Sequence, residues 1–308
     1  MLFRSPVILI VDATKVTRTA AAMVLGCLHL DRDVDIKGII LNRVAGGRHE
    51  SVLRESIEGA TSIPVIGSVK KLSSDMFPQR HLGLVPSQEH PRSLEFIEEA
   101  AEIVGGSVDL DRFVEIAKAA GAYDAGPLPE ILGPSDPERV NRVRVGIMKD
   151  SAFQFYYPEN LEALERGGAR LVEISGLKNT ELPDLDALYI GGGFPETHAA
   201  QLANNVRFKE SLHGAIQNGL PVYAECGGLM YLSRSLRIDD RIYPMVGVFP
   251  VDSVLERAPQ GHGYLRVEVA VPNPFYPPGT IITGHEFHYS HIAVSEASDA
   301  SYAFRVIR

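Results

Sequence analysis

Two cysteines, Cys27 and Cys226, are all that 308 residues contain. So few cannot build a disulfide framework, and a reducing cytoplasm is the compartment this usage suits. Basic residues are in the minority: 30 Lys and Arg stand against 39 Asp and Glu, a formal net charge of −9. Nonspecific nucleic-acid binding needs a basic face, so that class is set aside. No apolar run is long enough to span a bilayer, and residues 1–6 do not show the charged-then-apolar layout of a signal peptide. No Gly-x-x-x-x-Gly-Lys-Ser/Thr run occurs, so the backbone cradle and lysine that hold nucleotide phosphates are missing. Internal repeats and low-complexity tracts are absent too.

What is present is α/β alternation, twice over. Residues 7–11 form an apolar run closed by Asp12, the pattern of a buried parallel strand. An alanine-rich helix follows over 17–30, a strand over 36–41 ending at Asn42 and Arg43, a helix over 49–58 and a strand over 64–69. Strand-helix repetition of this kind predicts a doubly wound parallel sheet, whose ligands sit at the carboxyl ends of strands. Asp12 and Asn42 both fall at such ends. Residues 91–120 read as two helices. Residues 122–142 carry Pro127, Pro129, Pro134 and Pro137 and read as a linker between domains 1–121 and 143–308. Beyond it the alternation restarts: strands at 143–148, 170–174, 187–190 and 220–225, helices at 158–167, 205–218 and 229–235.

Chemistry concentrates at Cys226. A cysteine between a strand and a helix sits on a sharp elbow that lifts its side chain above the sheet. The helix N-terminus beside the sulfur favours the thiolate, the nucleophilic form. The N–H following Cys226, that of Gly227, can face a developing oxyanion, and the Gly191-Gly192-Gly193 turn on a neighbouring strand can supply a second donor. A free cysteine is more often a small buried hydrophobe, and Cys27, inside the apolar helical run Met23–Leu28, fits that description. The strand–Cys-Gly-Gly–helix setting of Cys226 does not.

A cysteine nucleophile needs a base. Gly284-His285-Glu286-Phe287-His288-Tyr289-Ser290 offers two histidines and one glutamate. The i,i+3 histidine spacing, with no further Cys, His or Asp cluster nearby, does not make a metal site. In an extended segment His288 and Glu286 share one face and His285 takes the other. Spacing alone leaves the choice between the two histidines open.

The longer runs around these residues resemble the cobyrinic acid a,c-diamide synthase family. The resemblance lies in Tyr223-Ala224-Glu225-Cys226-Gly227-Gly228-Leu229-Met230-Tyr231-Leu232, in Ala187-Leu188-Tyr189-Ile190-Gly191-Gly192-Gly193-Phe194-Pro195-Glu196, and in Gly284–Ser290. It extends to Ala152–Leu161, Tyr243–Val248 and Pro259-Gln260-Gly261-His262-Gly263-Tyr264. In the first half it runs through Val11-Asp12-Ala13, Ile40–Val44 and Arg80–Pro86. By this resemblance the chain joins an incomplete ATP-binding domain, similar to dethiobiotin synthetase, to a class I-like glutamine amidotransferase domain. It implies glutamine and a tetrapyrrole carboxylate as substrates, and ATP with Mg²⁺ as cofactors. Cys226 would be the nucleophile, His288 the activating histidine with Glu286 beside it, and Gly193 and Gly227 the oxyanion hole, next to Gly192. Asn42 would lie near adenine, and Asp12 near the same site or at the cap of the following helix.

The family opens with a P-loop segment, about a hundred residues ahead of the position of Asp12, that this sequence lacks. The resemblance therefore implies a missing segment, a separate P-loop polypeptide, or a lost synthetase activity. A sheet without its P-loop strands also has an open edge, which favours a partner or a homodimer. Cobyrinate is the default substrate, with nickel-sirohydrochlorin and sirohaem as relatives. A glutaminase subunit and a non-enzymatic binding module are the readings from other classes.

Overall fold

The computed structural model describes residues 5–72, 79–80, 83–84, 92–121, 143–294 and 302–307. The linker reading at 122–142 and most of the Arg80–Pro86 motif lie outside the described residues. The chain forms two compact units, Met1–Pro129 and Glu130–Arg308.

In the first unit, strands β1 (Val7–Asp12), β2 (Ile36–Val44) and β3 (Val65–Lys70) form a parallel sheet in the order β1-β2-β3. Helices α1 (Thr19–Leu30) and α2 (Gly47–Thr61) make the crossovers. The core gathers Val11, Val24, Ile39, Leu41, Leu53 and Ile57. Leu53 and Ile57 stand four apart on α2, so one face of that helix meets the sheet. A short antiparallel pair, β4 (Gln79–Arg80) and β5 (Gly83–Leu84), precedes helices α3 (Ser93–Ser107) and α4 (Leu110–Lys118). Cys27 is exposed, not core. The buried face of α1 is Ala20, Ala21 and Val24 and continues to the partly buried Leu28, one turn beyond Val24; Cys27 falls beside that stripe.

In the second unit, β6 (Val143–Met148), β8 (Ala169–Ile174), β9 (Ala187–Ile190) and β11 (Val222–Ala224) form a parallel sheet in the order β11-β9-β6-β8. Short strands β7 (Phe153–Phe155) and β10 (Gly192–Gly193) pair antiparallel. Helices α5 (Pro158–Arg166), α6 (Ala199–Asn204) and α7 (Val206–Gln217) connect the strands. Leu202, Phe208 and Leu212 pack with Leu188, Ile190, Phe153 and Tyr231 in one buried cluster.

Helix α8 runs Gly227–Leu232, two residues earlier than the sequence suggests, and then gives way to strand β12 (Ser233–Ile238). The Ser233 hydroxyl reaches the carbonyls of Met230 and Ser235 at 2.6 and 2.9 Å, the kind of local side-chain bond that competes with helix continuation. β12 joins β13 (Arg241–Pro244), β14 (Phe249–Leu255) and β17 (Ser290–Val294) in a mixed sheet. Strands β15 (Gly261–Val269), β16 (Ile281–His288) and β18 (Phe304–Ile307) form an antiparallel one, in the order β16-β15-β18. Asp252 of β14 is buried in the mixed sheet, gripped by Arg234 at 3.0 and 2.5 Å, by Arg237 at 3.2 Å and by the Ser235 hydroxyl at 2.7 Å.

Candidate active site

Cys226 is the residue between β11 and α8, with φ 45° and ψ −106°. A non-glycine residue there is strained by roughly 1–3 kcal/mol, and only the surrounding structure can hold it. The restraints are backbone bonds on both sides. Glu225 N–H donates to the Ile190 carbonyl at 2.9 Å, Gly228 N–H to the Glu225 carbonyl at 2.7 Å, and Met230 N–H to the Cys226 carbonyl at 3.1 Å.

Close backbone packing explains two of the glycines. A methyl group on Gly228 would lie 2.4 Å from the Ile190 carbonyl oxygen, so the end of β9 and the start of α8 meet only because Gly228 has no side chain. A methyl group on Gly193 would lie 2.2 Å from the Ala152 oxygen. The glycine turn and the elbow then touch: a methyl on Gly192 would be 3.6 Å from Cys226 Cβ, and one on Gly227 would be 3.2 Å from Gly193 N. Gly192, Gly193, Gly227 and Cys226 are thus brought together. Gly191 N–H donates to Tyr156 Oη at 2.8 Å, and that hydroxyl donates to the Met148 carbonyl. Phe194 N–H donates to the Ala152 carbonyl at 2.9 Å. The turn is clamped on either side of Gly192 and Gly193.

The thiol itself is pushed up from its ordinary value. Desolvation by the atoms packed around the sulfur is the largest cause, although the residue as a whole keeps an exposed surface; the Gly227 N–H opposes the rise, and the carboxylates of Glu196 and Glu225 add to it. This reverses the expectation of a helix-stabilised thiolate. α8 is only six residues long, and its N-terminal field is outweighed by desolvation and two acids. Tyr189 and Tyr223 belong to an edge-to-face series of rings that runs Tyr156, Tyr189, Tyr223, Phe275 at centroid spacings of 5.1, 5.6 and 5.1 Å, and the nearby Glu225 charge adds to the burial that raises both hydroxyls.

His288 ends β16. Its Nδ1 is 2.7 Å from the Ser290 carbonyl oxygen, and its Nε2 is 3.4 Å from Glu286 Oε2. A carbonyl can only accept, so Nδ1 carries a proton; Nε2 is left as the basic nitrogen of the neutral ring, and as a donor to Glu286 in the imidazolium. Gly261 on β15 lies opposite His288 in the ladder. The Ser290 hydroxyl donates to Met230 Sδ at 3.5 Å, which ties the segment after His288 to helix α8. Glu286 and His288 are half-buried while His285 is exposed, as strand alternation demands.

Asp12 and Asn42 lie in the other unit, paired in register at the ends of β1 and β2. Asp12 Oδ1 accepts from Thr14 N–H at 2.9 Å and Oδ2 from Arg43 at 2.9 Å. Hydrogen bonds from Thr14, with the Arg43 charge behind them, hold its carboxyl below the usual range. Asn42 Oδ1 accepts from Arg43 N–H at 2.9 Å. Tyr156, Glu196 and Gly261 are placed at the site by the structure and not by any sequence signal. All three stood inside the recognised runs, but nothing in their spacing says what they touch.

A parallel α/β sheet with a strained cysteine between a strand and a helix defines a class, the cysteine-elbow α/β domains. Residues 144–308 match the CobB/CobQ-like glutamine amidotransferase domain, and the chain belongs to that family. It is 41% identical over 293 residues to the cobyrinate a,c-diamide synthase of Listeria monocytogenes serotype 4b, covering 95% of this chain and 64% of that protein. It is also 41% identical over 308 residues to the cobyrinate a,c-diamide synthase of Methanothermobacter thermautotrophicus, covering 99% of this chain and 66% of that protein. The chain spans about two thirds of the length of these relatives. Among solved structures, PurLQS from Thermotoga maritima superposes with a TM-score of 0.40 at 13% identity, over 54% of this chain and 75% of that one.

Proposed function

We propose that the C-terminal unit hydrolyses glutamine, with Cys226 as nucleophile and His288 as its proton partner, and that the ammonia amidates the a and c acetate carboxylates of a tetrapyrrole. The observation that carries the reading is the strained Cys226, φ 45°, with Gly192, Gly193 and Gly227 packed around it. Strain of this kind persists where a side chain must be held in one place.

Desolvation and two acids push the thiol up from its ordinary value. Its proton must therefore pass to the His288 Nε2 as sulfur attacks the side-chain amide carbon of glutamine. The new oxyanion is met by the N–H groups of Gly193 and Gly227, each such donor being worth about 3 kcal/mol in the transition state. The imidazolium, braced by the Ser290 carbonyl and by Glu286, returns the proton to the leaving nitrogen. The carbon–nitrogen bond breaks, ammonia departs, and water cleaves the thioester to glutamate and free thiol.

The tetrapyrrole half of the reading rests on the family and on the names of the relatives. Cobyrinate is the default substrate; nickel-sirohydrochlorin and sirohaem carry the same kind of carboxylates. We read the first unit as part of a dethiobiotin-synthetase-like domain, with Asn42 on its adenine side. ATP with Mg²⁺ would supply the activated carboxylate, but the residues present do not fit a phosphate site: Asp12 is engaged by Thr14 and Arg43, and the sequence holds no P-loop. The phosphate cradle then comes from a further segment or a separate polypeptide, or the synthetase activity is lost. The setting is the cytoplasm.

Glutamine hydrolysis by the purified chain, and covalent labelling by a glutamine-mimicking electrophile, test the core of this reading. Cys226→Ala is expected to abolish both while the fold persists. Normal hydrolysis by that variant would remove Cys226 from the role.

A further inference from the structure

The hairpin of β15 and β16 has two faces, and glutamine hydrolysis uses only one. Glu286 and His288 take one face of β16, and His285 and Phe287 take the other. On that second face the ladder sets three cross-strand pairs in a row: His262 opposite Phe287, Tyr264 opposite His285, and Arg266 opposite Thr283. Successive pairs are two residues apart, about 7 Å, so the row runs roughly 14 Å along the hairpin. All six residues are exposed, Tyr264 at 93%. Tyr289 extends the rings: it and His262 each meet Phe287 edge to face, at centroid distances of 5.8 and 5.2 Å. Arg266 has no ion-pair partner among the described residues, whereas Arg305, one rung further, is taken by Glu268 at 2.6 Å. Pairing of the strands accounts for the backbone here. It does not account for His262, Tyr264, His285 and Phe287 standing together in water beside an uncommitted cation.

A flat face of rings with a free guanidinium at one end suits a flat, conjugated ligand that carries carboxylates. The ligand's ring stacks on the aromatic side chains, and a carboxylate takes the forked bond of the guanidinium. A tetrapyrrole acid has both parts; glutamine has no ring to stack. We infer that the outer face of the β15–β16 hairpin is a stacking platform for the tetrapyrrole acid, with Tyr264, His262 and His285 against the macrocycle and Arg266 on one of its carboxylates. The inference rests on the tetrapyrrole reading of the chain. The platform is separate from the glutaminase machinery, because the strand pleat turns His288 and Glu286 to the opposite face. Its residues bind and orient, and take no part in bond making.

The test titrates the purified chain with cobyrinate, nickel-sirohydrochlorin and sirohaem, followed by visible absorbance, in wild type, Tyr264→Ala and Arg266→Gln. Both side chains lie in solvent, so both variants fold, and thermal unfolding checks that. Wild type is expected to bind at least one of the three. Tyr264→Ala weakens that binding roughly 10-fold or more, the usual loss for one stacked ring. Arg266→Gln weakens it by about the same factor, and by less as salt is raised. Glutaminase kinetics of both variants stay at the wild-type value. Wild-type affinity in both variants overturns the inference and leaves the tetrapyrrole reading standing. A parallel fall in glutaminase activity shows a general distortion of the hairpin and overturns it too. Failure of wild type to bind any of the three overturns the tetrapyrrole reading, and the inference with it.

Discussion

Gly261 faces His288 across the β15–β16 ladder, and a methyl group on Gly261 would lie 2.3 Å from His288 Nε2 and 2.8 Å from Glu286 Cδ. The imidazole and its carboxylate neighbour occupy the space where any other residue would put a side chain. Gly261 sets their position without taking part in chemistry.

Gly261→Ala is therefore expected to displace the histidine while the strand still forms. A shift of about 1 Å in a reacting group can cost on the order of a hundredfold in rate. Steady-state glutaminase kinetics should show kcat falling by about that factor, with thermal unfolding little changed. Wild-type kcat in this variant would mean that His288 has slack the ladder does not show.

The two histidines of β16 should behave differently. His288→Asn is expected to lower turnover by about a hundredfold or more, the usual loss for a general base. His285 is exposed on the other side of the strand, and His285→Asn should cost little. Parallel kinetics of the two variants check the ranking, and a reversed ranking would move the role to His285.

Alkylation of Cys226 reports its ionisation directly. Because its thiol is raised by burial, with Glu196 and Glu225 adding to the effect, the rate of reaction with iodoacetamide should inflect above the ordinary thiol value of about 8.5. The same shift has a sign in stability. An acid whose folded value is raised favours folding fully below its unfolded value and loses that contribution as pH rises past it. Wild type should thus lose stability relative to Cys226→Ala on the alkaline side only. An inflection below neutrality would show that the short α8 helix governs the sulfur after all.

Asp252 anchors the mixed sheet. Arg234, with Ser235 and Arg237, holds its carboxyl at about 2. A depressed carboxylate stabilises the fold above its unfolded value, and that contribution is lost as pH falls from about 4 toward 2. Both arginines are about half exposed, at 55% and 46%, so the contribution is on the order of 1–2 kcal/mol. Asp252→Asn should lower Tm at pH 7 and flatten the acid limb of the stability curve between those values. An unchanged acid limb would show that the arginines have no preference for the charged form.

Much of the parallel-sheet framework can be read from local pattern. Apolar runs ending in Asp12, Asn42 and the Gly191–Gly193 turn mark strands β1, β2 and β9 within about three residues, because strands of a parallel sheet are rich in apolar residues; the expectation that β1 is buried fails, since only its Val11 is buried and Ile10 is exposed. The antiparallel part left no such record. Strands β12 to β18 mix polar with apolar residues, from the buried Ser233, Ser235 and Asp252 of β12 and β14 to the alternating β16, and their pairing depends on partners far along the chain. Cys27 shows the same limit: its apolar neighbours suggest core, but which stripe of α1 turns inward is decided by the sheet beneath it.

The sequence by itself determined the residue types of the candidate site and the strand–cysteine–helix order that places Cys226 at an elbow, because these depend only on neighbours along the chain. Only the tertiary structure decided the positive φ of Cys226, the Nδ1 bond from His288 to the Ser290 carbonyl, the Gly261 hollow and the approach of Glu196. It also decided the direction in which ionisation of the sulfur is pushed. The local helix end argues for thiolate, while desolvation and the carboxylates of Glu196, in the turn Pro195–His198, and Glu225, after β11, argue for thiol. The second set prevails because desolvation and Coulomb terms depend on distance in space, and a sequence does not contain that distance.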